Sequence, residues 1–177
     1  QKMSKPIGNV ISPFDMVDRY GLDATRYILL RHVHPVDDSD ITWEKMDEWY
    51  TANLVNGLGN LTARIMKMAE THLDGPIELK TLPPITNRLM DKFYFQLALD
   101  AIWKVVQSQD EMITETVPFK LVKEDKEAAV KIIESLVWEL YGIAYGLTPF
   151  MPETSQKIIE AVKANKKPEN LFKRLEE

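Results

Sequence analysis

Apolar residues recur along this chain at helical spacing, in runs punctuated by proline and glycine. Ser12-Pro13 pairs a capping residue with proline at a first helical position, and Met16, Val17 and Tyr20 continue a short helix to Gly21. Asp23 is expected to cap a second helix carrying Tyr27, Ile28, Leu30 and Arg31, ended by Pro35. The acidic stretch 36–40 then reads as a loop. From Thr42 the residues Trp43, Met46, Tyr50, Leu54, Leu58, Leu61, Ile65 and Met68 step by three or four, which predicts one long amphipathic helix. A Gly/Pro-rich connection from Asp74 to Pro84 ends it.

A second long helix is predicted from about Asn87 until Pro118 breaks it. It is apolar on two sides, Met90, Phe93, Leu97, Ala101 and Val105 on one and Phe95, Leu99, Ile102 and Val106 on the other. That pattern places it centrally in a bundle. A third helix carries Ala129, Ile132, Leu136, Leu140, Ile143 and Leu147. Pro149 closes it, and Pro152 opens a fourth through Ile158, Ile159 and Val162. The expected fold is mainly α: a small entry module over residues 1–41, then an antiparallel helical bundle over residues 42–177.

Composition narrows the function classes. The 177 residues are 45% apolar, enough for a packed core, and include no cysteine, which excludes a disulfide framework and thiolate zinc sites. No apolar run is long enough to span a bilayer, so a cytoplasmic protein without a membrane partner is expected. The formal charge of −5 argues against non-specific nucleic-acid binding. It leaves room for a site that reads a few unstacked bases through placed side chains. His32 and His34 stand two apart with no third ligand in sight, so no metal site is expected.

Two features carry chemistry. Lys2-Met3-Ser4-Lys5 sets two lysines three apart, able to meet a triphosphate and stabilise charge on a displaced phosphoryl group; taken alone, the tetrapeptide reads first as a solvated basic loop. Asn53, Asn56, Asn60 and Arg64 form a polar stripe beside the apolar one on the long helix. Its glycines, Gly57 and Gly59, each cost about 1 kcal/mol against alanine, so the helix is expected to need space there for a neighbour or a ligand. Periodicity alone favours Asn56 and Asn60 hydrogen-bonded within the bundle and Arg64 on a solvated face over a stripe that faces a ligand.

Residues 2–11, Lys-Met-Ser-Lys-Pro-Ile-Gly-Asn-Val-Ile, lead into Tyr20-Gly21-Leu22-Asp23-Ala24-Thr25-Arg26-Tyr27. This order resembles the segment of class I aminoacyl-tRNA synthetases that holds the KMSKS loop and the helices after it, with Pro6 in place of a usual serine. Residues 52–64 resemble the helix of methionyl-tRNA synthetases that presents an asparagine and an arginine to the anticodon. Glu115-Thr116-Val117-Pro118-Phe119-Lys120-Leu121 resembles a stretch that commonly carries tryptophan where Phe119 stands. Asn170 to Leu175 resembles the family's closing segment, whose leucine and phenylalanine dock on the body.

The resemblance implies a C-terminal fragment of a methionyl-tRNA synthetase, from the KMSKS-type loop and stem-contact module through the anticodon-binding bundle. It implies Lys2, Met3, Ser4 and Lys5 as the ATP-handling loop, with Lys2 and Lys5 catalytic in the intact enzyme. It also implies Asn60, Arg64 and Phe119 as readers of the CAU anticodon of tRNA(Met), with Phe119 stacking on a base. ATP with Mg belongs to the intact methionine-tRNA ligase. Without its N-terminal Rossmann domain the fragment is expected to be inactive and to hold no cofactor. Two alternatives stay open: another class I synthetase (for valine, isoleucine, leucine or cysteine), or a helical protein-interaction module.

Overall fold

The computed structural model describes residues 10–79 and 87–175, the side chains of residues 87 and 88 excepted. Lys2, Met3, Ser4 and Lys5 lie outside the described residues. The described chain is mainly α-helical: α1 (Pro13–Tyr20), α2 (Leu22–His32), α3 (Trp43–Trp49), a π-helical segment (Tyr50–Gly59), α4 (Asn60–His72), α5 (Asn87–Met90), α6 (Phe95–Thr116), α7 (Pro118–Leu121), α8 (Lys126–Leu147) and α9 (Pro152–Ala164). Among the described residues no helix is long and apolar enough to cross a membrane.

The central helix is α8, not the one starting near Asn87. It buries Ala129, Ile133, Leu136, Val137, Leu140, Ile143, Ala144 and Leu147 and packs against α4, α6, α7 and α9. The four-residue connection to α9 forces the chain to reverse. The expected two-sided helix fails because its beginning is a separate turn. Phe93 sits at φ 57°, and the Tyr94 and Phe93 amides donate to the Leu89 and Met90 carbonyls. That pair of bonds closes α5 in a Schellman stop. From Phe95 onward only one side is deeply buried, with Ala98, Leu99, Ile102, Trp103, Val106 and Ile113 inward. Phe93 and Leu97, expected in the core, are 75% and 55% exposed.

The entry helices share the core of the bundle, with Met16, Tyr20, Ala24, Tyr27 and Ile28 in the same buried cluster as α8. Ser12 caps α1 and Gly21 ends it at φ 82°, as the sequence indicates. Asp23 behaves differently. Gly21 precedes α2 directly, and the Asp23 carboxylate accepts from the Thr154 amide at 2.7 Å, so it caps the start of α9 rather than its own helix. Arg26 completes this joint by donating to the Phe150 and Pro149 carbonyls, both at 2.8 Å, beyond the end of α8. Asp23 is 8% exposed. Asp23→Ala would strand the Thr154 amide and is expected to cost about 1–3 kcal/mol. Urea denaturation measures this, and an unchanged midpoint would show that water serves the amide equally well.

His32 and His34 take structural places. His32 stacks on Trp49 with ring centroids 4.2 Å apart and meets Tyr27 edge-on. Burial, reinforced by the neighbouring Arg31 charge, pushes its pKa down from 6.5 to about 4. The His34 Nδ1 accepts from the Asp37 amide at 2.8 Å and so folds the acidic loop.

Candidate nucleic-acid interface

The helix predicted from Trp43 to Met68 is continuous, but its middle is wound differently. The Asn60 amide reaches the carbonyl of Val55, five residues back, as well as that of Gly57. Such i→i+5 turns are rare and favour functional places. The two glycines fit this winding. A Cβ on Gly57 would stand 3.2 Å from the Ala52 carbonyl oxygen, and one on Gly59 would stand 3.0 Å from that of Leu54. Gly59 also makes room for a neighbour, since its Cβ would lie 3.2 Å from the Phe172 ring. Phe172 is 9% exposed, and the Tyr50 hydroxyl donates to the next carbonyl, Lys173, at 2.8 Å. The closing segment therefore docks on the π turn. The space the glycines keep belongs to the protein's own backbone and tail, not to a ligand.

The wide turn also divides the polar stripe. Each residue in it advances by a smaller angle than in an α-helix, so a step of three falls further off the face. Asn53 and Asn56 line a groove of about 570 Å³ against α6, bordered by Arg31 of α2. Asn60 and Arg64 line a neighbouring depression of about 380 Å³, together with Lys67, Phe119 and Lys167.

This second depression joins the residues singled out in the sequence from two separate elements. Asn60 is exposed at the start of α4, and Arg64 stands one turn on, roughly 6 Å along the axis. Phe119 arrives from α7. Val117 before it adopts a left-handed conformation (φ 43°, ψ 55°), uncommon for a β-branched residue, and Pro118 starts the short turn that follows. The outcome is a phenylalanine 49% exposed rather than one sunk in the core. A left-handed β-branched residue costs on the order of 1–2 kcal/mol, and here it accompanies the presentation of an aromatic face.

Arg64 is held by the Asp110 carboxylate of α6 through one guanidinium nitrogen. Among the described residues no Asp or Glu lines the depression itself, while Arg64, Lys67 and Lys167 do. Two of these cations are partnered, Arg64 by Asp110 and Lys67 by Glu70 at 3.4 Å. Sequence reading missed Lys67, Lys167 and Asp110. Lys67 follows Arg64 by three positions on one helix, so its place was legible. Lys167 and Asp110 come from distant segments and carry no signal of their own. Among the described residues no three His, Cys, Asp or Glu side chains group as a metal site would need.

Residues 1–66 match the family described as tRNA synthetases class I (M), which makes this a class I synthetase segment. Over 188 aligned residues the chain is 35% identical to the methionine–tRNA ligase of Fusobacterium nucleatum, covering 97% of this chain and 30% of that protein. The ligase of Caldanaerobacter subterraneus is also 35% identical, over 90% of this chain and 28% of its own length. The crystal structure of Mycobacterium tuberculosis methionyl-tRNA synthetase bound by methionyl-adenylate superposes with a TM-score of 0.79 at 26% identity, over 97% of this chain and 42% of that one. The chain belongs to the methionyl-tRNA synthetase family, and it spans about 30% of the length of the curated relatives it matches.

Proposed function

We propose that this chain is the anticodon-reading portion of a methionine–tRNA ligase, and that the depression around Asn60, Arg64 and Phe119 receives the first base of a CAU anticodon. The observation that carries the reading is the convergence of these three side chains from α4 and α7 in one depression, lined among the described residues by Arg64, Lys67 and Lys167 and by no carboxylate. An unpaired loop base is recognised by stacking and by hydrogen bonds to its exposed edges. Phe119 offers the stacking face. The Asn60 amide offers both a donor and an acceptor, and the Arg64 fork offers donors; together they match the carbonyl, ring nitrogen and amine of cytosine. Lys67, which also meets Glu70 at 3.4 Å, and Lys167 line the same depression and would meet the flanking phosphates. In the whole protein, ATP and methionine would be handled elsewhere, with Lys2 and Lys5 belonging to a triphosphate-contacting loop and residues 1–41 to the module joining it to the bundle.

The test is binding to anticodon stem-loop RNAs carrying CAU or a changed first base, at low salt, with this chain and with the full-length protein. CAU should bind more tightly, and Asn60→Ala should remove the preference. Phe119→Ala should weaken binding to every loop by about 1–3 kcal/mol, because stacking is tolerant of base identity. Equal binding of all loops by the full-length protein, unaffected by either substitution, would sink the reading.

A further inference from the structure

One short stretch near the end of the chain grips the helix that carries Asn60 and Arg64 at three points along its length. At the first residue of the π-helical segment, the Tyr50 hydroxyl donates to the Lys173 carbonyl at 2.8 Å. At its last residue, Phe172 Cδ2 stands 3.2 Å from where a Cβ on Gly59 would be. The same ring meets Tyr50 edge-on, with centroids 6.2 Å apart. At the far end of α4 the Asn165 amide donates to the Ala69 and Leu73 carbonyls, at 3.4 and 3.5 Å. Asn165 is itself left-handed (φ 47°, ψ 45°), a conformation asparagine adopts more readily than most residues, and it turns the chain out of α9. Between these grips Lys167 lines the depression. Residues 165–173 thus form a strap from one end of the helix to the other.

We propose that Phe172 is a positioning residue for base reading: it holds the π turn and through it sets where Asn60 stands beside Arg64 and Phe119. The proposal rests on the reading of the depression as an anticodon site. An i→i+5 turn is rare, and like other uncommon backbone conformations it persists where packing over-determines it. Here consecutive residues of the strap, Phe172 and Lys173, hold the two ends of the turn. Asn60 follows Gly59 directly, and its own amide makes the bond to the Val55 carbonyl. If the turn relaxed to α winding, the angle per residue would grow and the helix before it would rotate against α4. Leu61, Ile65 and Met66 fix α4 in the core, whereas Asn60 is exposed at the junction. Arg64, one turn on, has Asp110 as its own support. Phe172 therefore acts on Asn60 much more than on Arg64. A tail that only covered apolar surface would add stability without favouring one base over another.

The experiment is a double-mutant cycle on the full-length protein, titrated with stem-loops carrying CAU or a changed first base. Phe172→Ala should reduce the preference for CAU roughly 5-fold or more, the low end of one side-chain-to-base contact. Added to Asn60→Ala it should reduce the preference little further; added to Arg64→Ala it should act in full. Hydrogen exchange over residues 50–60 should quicken roughly tenfold in Phe172→Ala, as the turn opens locally. Tyr50→Phe, which removes only the hydroxyl grip, should show both changes in smaller measure and carries the test if Phe172→Ala folds poorly. Weaker binding to every loop alike, additive with Asn60→Ala, would overturn the proposal and leave the tail a purely structural cover. So would unchanged exchange over residues 50–60. A preference lost in Asn60→Ala but untouched in Phe172→Ala would overturn the proposal while the anticodon reading stands. No preference for CAU in the parent would sink that reading and the proposal with it.

Discussion

Replacing Arg64 by alanine is expected to reduce discrimination between CAU and a loop with a changed first base by about 1–3 kcal/mol, the value of one well-placed side-chain-to-base contact. The effect on stability should be small. Its partner Asp110 is 53% exposed and Arg64 itself 35%, so the ion pair is largely hydrated and contributes at most about 1 kcal/mol. Binding and folding therefore separate cleanly at this position. Arg64→Lys sharpens the test. It keeps the charge but loses the planar fork, so a base reader should fail with lysine nearly as badly as with alanine. A phosphate contact would be restored by lysine and would lower binding to all loops alike. That pattern, seen in titrations with CAU and non-CAU loops, would remove Arg64 from the readers and leave Asn60 alone in that role.

Acidification between pH 6.5 and about 4 should destabilise the fold through His32, by on the order of 2 kcal/mol once its partial exposure is allowed for. The folded ring resists protonation because it is buried against Trp49 and close to Arg31, whereas the unfolded ring titrates near its ordinary value. The unfolded state then binds more protons than the folded one. Stability is full above pH 6.5, falls as the pH drops through the window, and stops falling from this source below about 4. Asp47, held by Arg19 below the usual carboxylate range, adds its own loss only at more acidic pH. His32→Phe keeps an aromatic ring on Trp49 and removes the titration. Urea midpoints at pH 7 and pH 5 should differ for the parent and much less for the variant; equal slopes for both would show that another group governs the window.

Helix existence was legible in the chain wherever apolar spacing and a proline or glycine stop agreed, as at Gly21, Pro118 and Pro149. Centrality was not. Phe93 and Leu97 share the helical period of buried residues, but period alone cannot tell which apolar face finds a partner. The π winding was invisible for a related reason. Its signature is a carbonyl five residues away rather than four, and the apolar residues from Trp43 to Met68 fit either count. The glycines were noticed, yet their cause lay in the backbone, not in a bound molecule. Asn60, Arg64 and Phe119 were found by resemblance to a family and not by spacing, since Phe119 stands 55 residues beyond Arg64 and only the packing of α6 and α7 against the rest joins them. Lys67 was legible three positions after Arg64 on one helix, whereas Asp110 and Lys167 arrive from distant segments that only the fold brings together.

The carboxylate of Asp23 caps an amide 131 residues further along. A ribosome delivering roughly 5–20 residues per second would make α2 on the order of ten seconds before its partner exists. During that interval the early helices have a polar group waiting and an apolar face uncovered. Closure across so long a loop belongs to the last stages of folding. Nascent chains halted before residue 152 should therefore be more easily cut by protease within α2 than chains released whole.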